Sequence, residues 1–220
     1  MDKFKELKKS VQEFKDKYPS LQLDNAFIGW YLQSFITGND NEAFSSIVGG
    51  ANDKGVDAIY IDKETKSVFI IQGKYNQSER PSNALRADII DLAQLGRSIL
   101  LDENASFKML IKRANIEVQE KLKEARMLVQ NNEYRLILLF ITTSQINSTH
   151  LEQAKQLIED WPLASYEGLS RPDLLRLMQD YIEGVAPPVP SLNIPIQGEE
   201  LFSKFDVDTD ISSWVFTVNG

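Results

Sequence analysis

Apolar positions recur along the chain with two different periods, and together they predict helices alternating with strands. Over residues 1–18, Phe4, Leu7, Val11, Phe14 and Tyr18 share one helical face while lysines occupy the other, and Pro19 stops the helix. A second helix is expected over 24–37. Phe27, Ile28, Tyr31, Leu32 and Phe35 give it a wide apolar face, and Asp24 stands where an N-cap belongs. Gly38-Asn39-Asp40-Asn41 reads as a turn, and 44–48 as a short strand ended by Gly49-Gly50. Residues 55–61 and 67–75 read as two strands joined by a short polar turn centred on Glu64 and Thr65. Helices follow over 82–101 and 106–131. The run 136–141 is continuously apolar, the pattern of a strand buried on both faces. Thr149 and Glu152 suggest a capping box for a helix through Trp161, and a further helix covers Pro172 to Glu183.

This order predicts an α/β fold: a mixed central sheet flanked by helices, built from a first core helix, a three-strand meander and a helix–strand crossover. Residues 1–184 form the expected domain. Residues 185–198 hold Pro187, Pro188, Pro190 and Pro195 and read as an extended linker, with 199–220 as the start of a following domain. The last apolar run, 214–218, ends at Asn219-Gly220, a strong hairpin-turn signal with no return strand after it. The chain is therefore expected to continue, with a C-terminal domain of the same protein as one partner. The final strand is expected to lack a following partner, which leaves Trp214 and Phe216 to pack back on the core, to be poorly ordered, or to pair with a second copy in a homodimer.

Composition narrows the chemistry. Cysteine is absent and His150 is the single histidine, which excludes thiolate metal sites, a cysteine nucleophile and His-rich metal centres. No apolar run approaches the roughly 18 residues a membrane helix needs, and Met1–Glu6 has no apolar signal core, so the expected compartment is the cytoplasm with no membrane partner. Net charge is −8, and residues 187–220 carry five carboxylates against Lys204 alone. An acidic chain is a poor generic nucleic-acid binder, because phosphate affinity comes from Lys and Arg. A basic surface from Arg80, Arg86, Arg97, Lys108, Lys112 and Arg113 is diluted by Asp88, Asp91, Glu103 and Glu117.

The informative stretch is the hairpin. A turn symmetric about the Glu64–Thr65 bond pairs residues whose numbers sum to 129, which sets Asp57 opposite Gln72. Gln72 and Lys74 share a face because side chains two apart in a strand point the same way. A carboxylate, an amide oxygen and an ammonium then converge at one end of an apolar sheet face. Hard divalent cations take oxygen ligands, and Mg²⁺ keeps several waters with one or two carboxylates. Asp57 is expected to bind the metal, Mg²⁺ or Mn²⁺, and Gln72 to complete the site with its side-chain oxygen and the backbone carbonyl that follows. Lys74 is expected to orient the attacking water or to stabilise charge on the phosphate.

Gly55-Val56-Asp57-Ala58 followed by Gln72-Gly73-Lys74 resembles the PD-(D/E)XK nuclease superfamily, in the Gln-x-Lys variant of Mrr-like restriction endonucleases. Ala26-Phe27 with Trp30, the approach from Gly49-Gly50 through Asp53-Lys54 to Asp57, and Gln72-Gly73-Lys74-Tyr75 are similar to the N-terminal region of AIPR (abortive-infection phage-resistance) proteins. The motifs span about residues 24–76. The resemblance implies a metal-dependent endonuclease acting on DNA within a longer antiphage or restriction-type defence protein, with RNA still open as a substrate. One departure stands out: Mrr-like enzymes often carry a Glu just after the Phe of the first core helix, and that position is Ile28 here. Asp24 or Asn25, up to a turn earlier, is the substitute the sequence offers, with Asp24 as a third metal ligand. Two other readings stay open: a catalytically inactive nuclease-like fold that binds nucleic acid or protein, and an interaction scaffold unrelated to nucleic acid, which suits the acidic balance.

Overall fold

The computed structural model describes residues 2–48, 55–101, 104–112, 114–131, 134–184, 202–206 and 212–216. The chain divides into two compact units, Met1–Val185 and Ala186–Gly220.

The first unit is a mixed α/β fold around a four-stranded sheet. Helices α1 (Lys3–Lys17), α2 (Leu23–Leu32) and α3 (Asp40–Ser46) precede strands β1 (Ala58–Asp62) and β2 (Ser67–Lys74). Helices α4 (Arg86–Leu100), α5 (Asn104–Ile111) and α6 (Ile116–Gln130) lead to β3 (Arg135–Thr142). Helix α7 (Ser148–Gln156), β4 (Ala164–Leu169) and α8 (Arg171–Ile182) complete it. The strand order is β1-β2-β3-β4, antiparallel between β1 and β2 and parallel for the other two pairs. Parallel neighbours need a crossover; α4–α6 supply it between β2 and β3, and α7 between β3 and β4.

The sheet separates two cores. Val68, Ile70, Leu136, Leu138 and Phe140 face α4, α6 and α7, while Ile71, Leu139 and Ile141 face α1, α2 and α8. Alternate residues of β3 thus fill opposite cores, which is why its sequence is apolar without a break. Each such buried aliphatic side chain contributes roughly 1.5–3 kcal/mol, so β3 and the strand beside it, β2, form the rigid axis of the domain.

The hairpin has the expected register. Ala58 pairs with Ile71, and Asp62 with Ser67. The Asp62 carboxylate accepts from the backbone N–H groups of Glu64 and Thr65 and from the Thr65 hydroxyl, fixing a four-residue loop that leaves the alternation of both strands in step.

Several expectations are corrected. Of the strand expected over 44–48, residues 44–46 belong to helix α3, because the Asn39 side chain caps the Asn41 and Glu42 N–H groups; only Ile47 bridges to Ala58. The expected meander is therefore a hairpin with one added bridge. The second helix starts from Gln22, with Asp24 inside its first turn, and continues as a π-helical turn, Gln33–Thr37, ended by Gly38 at φ 61°. The stripe over 106–131 is broken, with α6 capped afresh by Asn115. Asn147 rather than Thr149 caps α7, which ends at Gln156, and the capping box belongs to Ser170 and Asp173 at the start of α8.

In the second unit, β5 (Phe202–Asp206) pairs antiparallel with β6 (Ser212–Phe216), Lys204 opposite Trp214. The strand carrying Trp214 thus has a partner in the chain, placed before it rather than after. The Pro-rich segment and Asn219-Gly220 lie outside the described residues.

Candidate active site at the end of β2

Strand β2 lies between β1 and β3, so both edges of its backbone are hydrogen-bonded and its C-terminal end is fixed. The side chains there alternate. Val68, Ile70, Gln72 and Lys74 point to the α4 side, whereas Phe69, Ile71 and Tyr75 belong to the α2 side.

Asp57 stands one residue before β1, outside the paired register, which ends at Ala58 opposite Ile71 and so stops short of the expected Asp57–Gln72 pair. Its N–H donates to the Ile71 carbonyl (2.9 Å), and its own carbonyl accepts from Val48 N–H (2.9 Å). Its carboxylate Oδ2 accepts from Gly73 N–H at 2.8 Å. The side chain therefore takes a ladder position that a backbone carbonyl would otherwise fill, and the carboxylate is held beside the Gln72–Gly73 peptide. A charge-assisted bond of this kind is roughly twice as strong as a neutral one and fixes direction as well as position.

Gln72 is only 3% exposed. Its amide nitrogen packs under Gly55, where a Cβ would come within 2.9 Å of Nε2, and Gly55 has φ +75°, a conformation in which a side chain is strained. Its Oε1 is buried and has no hydrogen-bond partner among the described residues. An unsatisfied buried acceptor costs about 1–3 kcal/mol, so this one is the feature of the strand end that most calls for a ligand. Because Gly55 is needed both for its backbone angle and for the space over Gln72, Gly55→Ala is expected to destabilise the domain by about 1–2 kcal/mol. Urea unfolding would read this, and a loss below ~0.5 kcal/mol would show that the approach to β1 relaxes without strain.

Lys74 is the outermost of the three, with its side chain about half exposed, and its Nζ lies 3.8 Å from Asp88 Oδ1 in the first turn of α4. Its backbone carbonyl is gripped by Thr142 Oγ1 (3.0 Å) and Thr143 N–H (3.2 Å). Sequence reading counts Asp88 only as an acid diluting a basic face. Nothing local signals its meeting with Lys74, which depends on how α4 docks.

The α2 side of the same strand end is closed. A Cβ at Gly73 would lie 1.8 Å from Ile28 Cδ1, so Ile28 packs directly over the glycine. Asp24 sits on that side too. Burial, and secondarily the Asp24 carboxylate, pushes the Tyr75 phenol up to about 12. Tyr75 stacks on Phe27 with ring centroids 5.0 Å apart and stays a neutral packing residue at physiological pH. The structure thus holds the Asp57 carboxylate on the peptide between Gln72 and Gly73, turns Lys74 to Asp88, and leaves Asp24 beside Tyr75, on the face that α2 covers. Asp53, Lys54 and the Gly49-Gly50 pair lie outside the described residues. Among those described, no group of three or more acidic or histidine side chains gathers as a metal cage.

No family model, curated protein or solved structure matches the chain. No helix among the described residues is long and apolar enough to cross a membrane.

Proposed function

We propose that the first unit is a divalent-metal-dependent endonuclease domain that hydrolyses DNA phosphodiester bonds, as part of an antiphage or restriction-type defence protein. The observation that carries this reading is the buried, unpartnered Oε1 of Gln72, one residue before the Gly73 N–H that holds the Asp57 carboxylate and two residues before an exposed lysine. Asp57 and the Gln72 oxygen are a hard donor set of the kind Mg²⁺ or Mn²⁺ takes, one anionic and one neutral, with waters filling the remaining positions. When bound, the cation supplies Lewis-acid polarisation of the phosphate and acidifies water. The Gly73 N–H holds the Asp57 carboxylate in place, and burial under Gly55 holds the Gln72 amide. Lys74, at the exposed rim, donates to a non-bridging phosphate oxygen and steadies the charge that develops there.

A second reading has its own observation. The Asp57 carboxylate already serves the fold through Gly73 N–H, as it would in a nuclease-like domain that only binds nucleic acid or protein. Calorimetric titration with Mg²⁺ and Mn²⁺ separates the two. Wild type is expected to bind at one site. Asp57→Asn, which keeps an oxygen for the Gly73 N–H, is expected to bind at least 10- to 100-fold more weakly, roughly the loss that removing even a supporting residue brings to a metal site. Equal heats from both proteins would reject the metal site and favour the binding module.

A further inference from the structure

We infer that Asp88 is a positioning residue that holds the Lys74 ammonium at the mouth of the site; the inference rests on the nuclease reading above. An isolated ion pair at 3.8 Å between partly exposed groups carries little weight by itself. This one is fixed from both sides by the same short segment, the end of β3 and the residues after it. On the lysine side, the Lys74 carbonyl is bound by Thr142 Oγ1 and Thr143 N–H, and the Thr143 hydroxyl donates to the Asn76 carbonyl (2.8 Å) while accepting from Asn76 N–H (2.6 Å). On the aspartate side, the approach to α4 is tied down by Ala84 N–H to the Gln145 carbonyl and Gln145 N–H to the Ser82 carbonyl, both 2.8 Å. Within the first turn of α4, Ile89 is fully buried, and its carbonyl accepts from the Tyr166 hydroxyl at 2.8 Å.

Neither backbone can drift from the other, so the side chains of Lys74 and Asp88 meet as a consequence of the fold. The first turn of a helix also favours a carboxylate, so Asp88 stands where an acidic partner for the lysine is stabilising. Asp88 is the one carboxylate within ion-pair distance of Lys74 among the described residues. Ile28 and the Tyr75–Phe27 stack close the α2 side, so α4 is the helix able to steady the lysine. A long, four-carbon ammonium side chain at an exposed strand end has many rotamers, and a fixed anion 3.8 Å away selects those that point along the rim, where a phosphate would approach.

The test compares wild type, Asp88→Asn, Asp88→Glu and Asp91→Asn, the last removing an exposed acid from the same helix. Plasmid cleavage in Mg²⁺, side-chain relaxation of Lys74 by nuclear magnetic resonance in metal-free protein, and thermal melting are measured on each. Asp88→Asn is expected to lower kcat by about 10- to 100-fold with KM within about threefold, and to loosen Lys74. Asp88→Glu is expected to recover part of the loss, and Asp91→Asn to behave as wild type in all three measurements. If wild type cleaves and Asp88→Asn cleaves as well or better, or if Lys74 moves no more freely in it, the role of Asp88 is overturned and the nuclease reading stands. A wild type that cleaves no nucleic acid overturns the nuclease reading and this role with it. A fall in kcat matched by a lower melting point and by the same fall in Asp91→Asn marks a general effect on the helix and also overturns the role.

Discussion

Lys74→Ala is expected to fold as wild type does and to cleave DNA about 10²- to 10³-fold more slowly, the usual loss when one donor to developing charge is removed. The side chain is half exposed and its ion pair is solvent-screened, so its truncation should change stability by less than about 0.5 kcal/mol. Conversion of supercoiled plasmid to linear product, followed with and without EDTA, measures this directly. Cleavage that persists in EDTA, or that is undiminished in the Lys74 variant, would place the chemistry elsewhere in the chain. On the proposed nuclease reading the size of the effect comes from timing: Lys74 would gain its interaction only when charge builds on the phosphate, so its removal is expected to raise the barrier rather than weaken the fold.

Arg171→Ala is expected to have the opposite profile, a loss of about 2–4 kcal/mol in stability. The Arg171 side chain is buried, and its guanidinium donates to three backbone carbonyls: Thr143 (2.6 Å), Glu79 (3.0 Å) and Ser78 (2.7 Å). It also stacks 3.8 Å above the Phe4 ring. One side chain thereby joins α1, the start of α8, the end of β3 and the loop that follows Lys74. Burial lowers the guanidinium pKa, but an arginine starts so high that it stays charged at any working pH. Truncation leaves carbonyls without donors, and partial access of water to them keeps the loss below the simple total. Arg171→Lys should recover only part, since an ammonium cannot present a planar fork to three acceptors. Urea unfolding of the three proteins is the measurement, and a change under ~1 kcal/mol for Arg171→Ala would show that the loop is held by other contacts.

The parts of the molecule legible in the sequence are those whose cause is local. The register of β1 against β2, from Ala58 opposite Ile71 to Asp62 opposite Ser67, follows from an even loop and an Asp that caps its own turn. The run 136–141 is apolar because both faces are covered. The missed elements are those in which side chains say little. Strand β4 has only Tyr166 buried in Ala164–Leu169, so its sequence shows no alternation; its place is fixed by backbone pairing with β3. Residues 44–48 are apolar enough to read as a strand, but the decisive residue is Asn39, whose cap makes the helix. For the candidate site, residue types and spacing single out Asp57, Gln72 and Lys74 as candidates. Burial of Gln72, the pairing of Lys74 with Asp88 in the following helix, and the bracing by Arg171 join positions from 14 to 167 residues apart, and no pattern within a single element encodes them.

The contact between Ile28 and Gly73 ties two distant positions into one heritable unit. A carboxylate introduced at 28 would be buried in a dry, closely packed layer, and any side chain at 73 would collide with the isoleucine. A chain with this pair is therefore held back from placing an acid at position 28 by single substitutions, since each change alone is a loss. Variation that tunes the strand end is instead channelled to the opposite side of the sheet, where α4 presents partly exposed residues that can change one at a time.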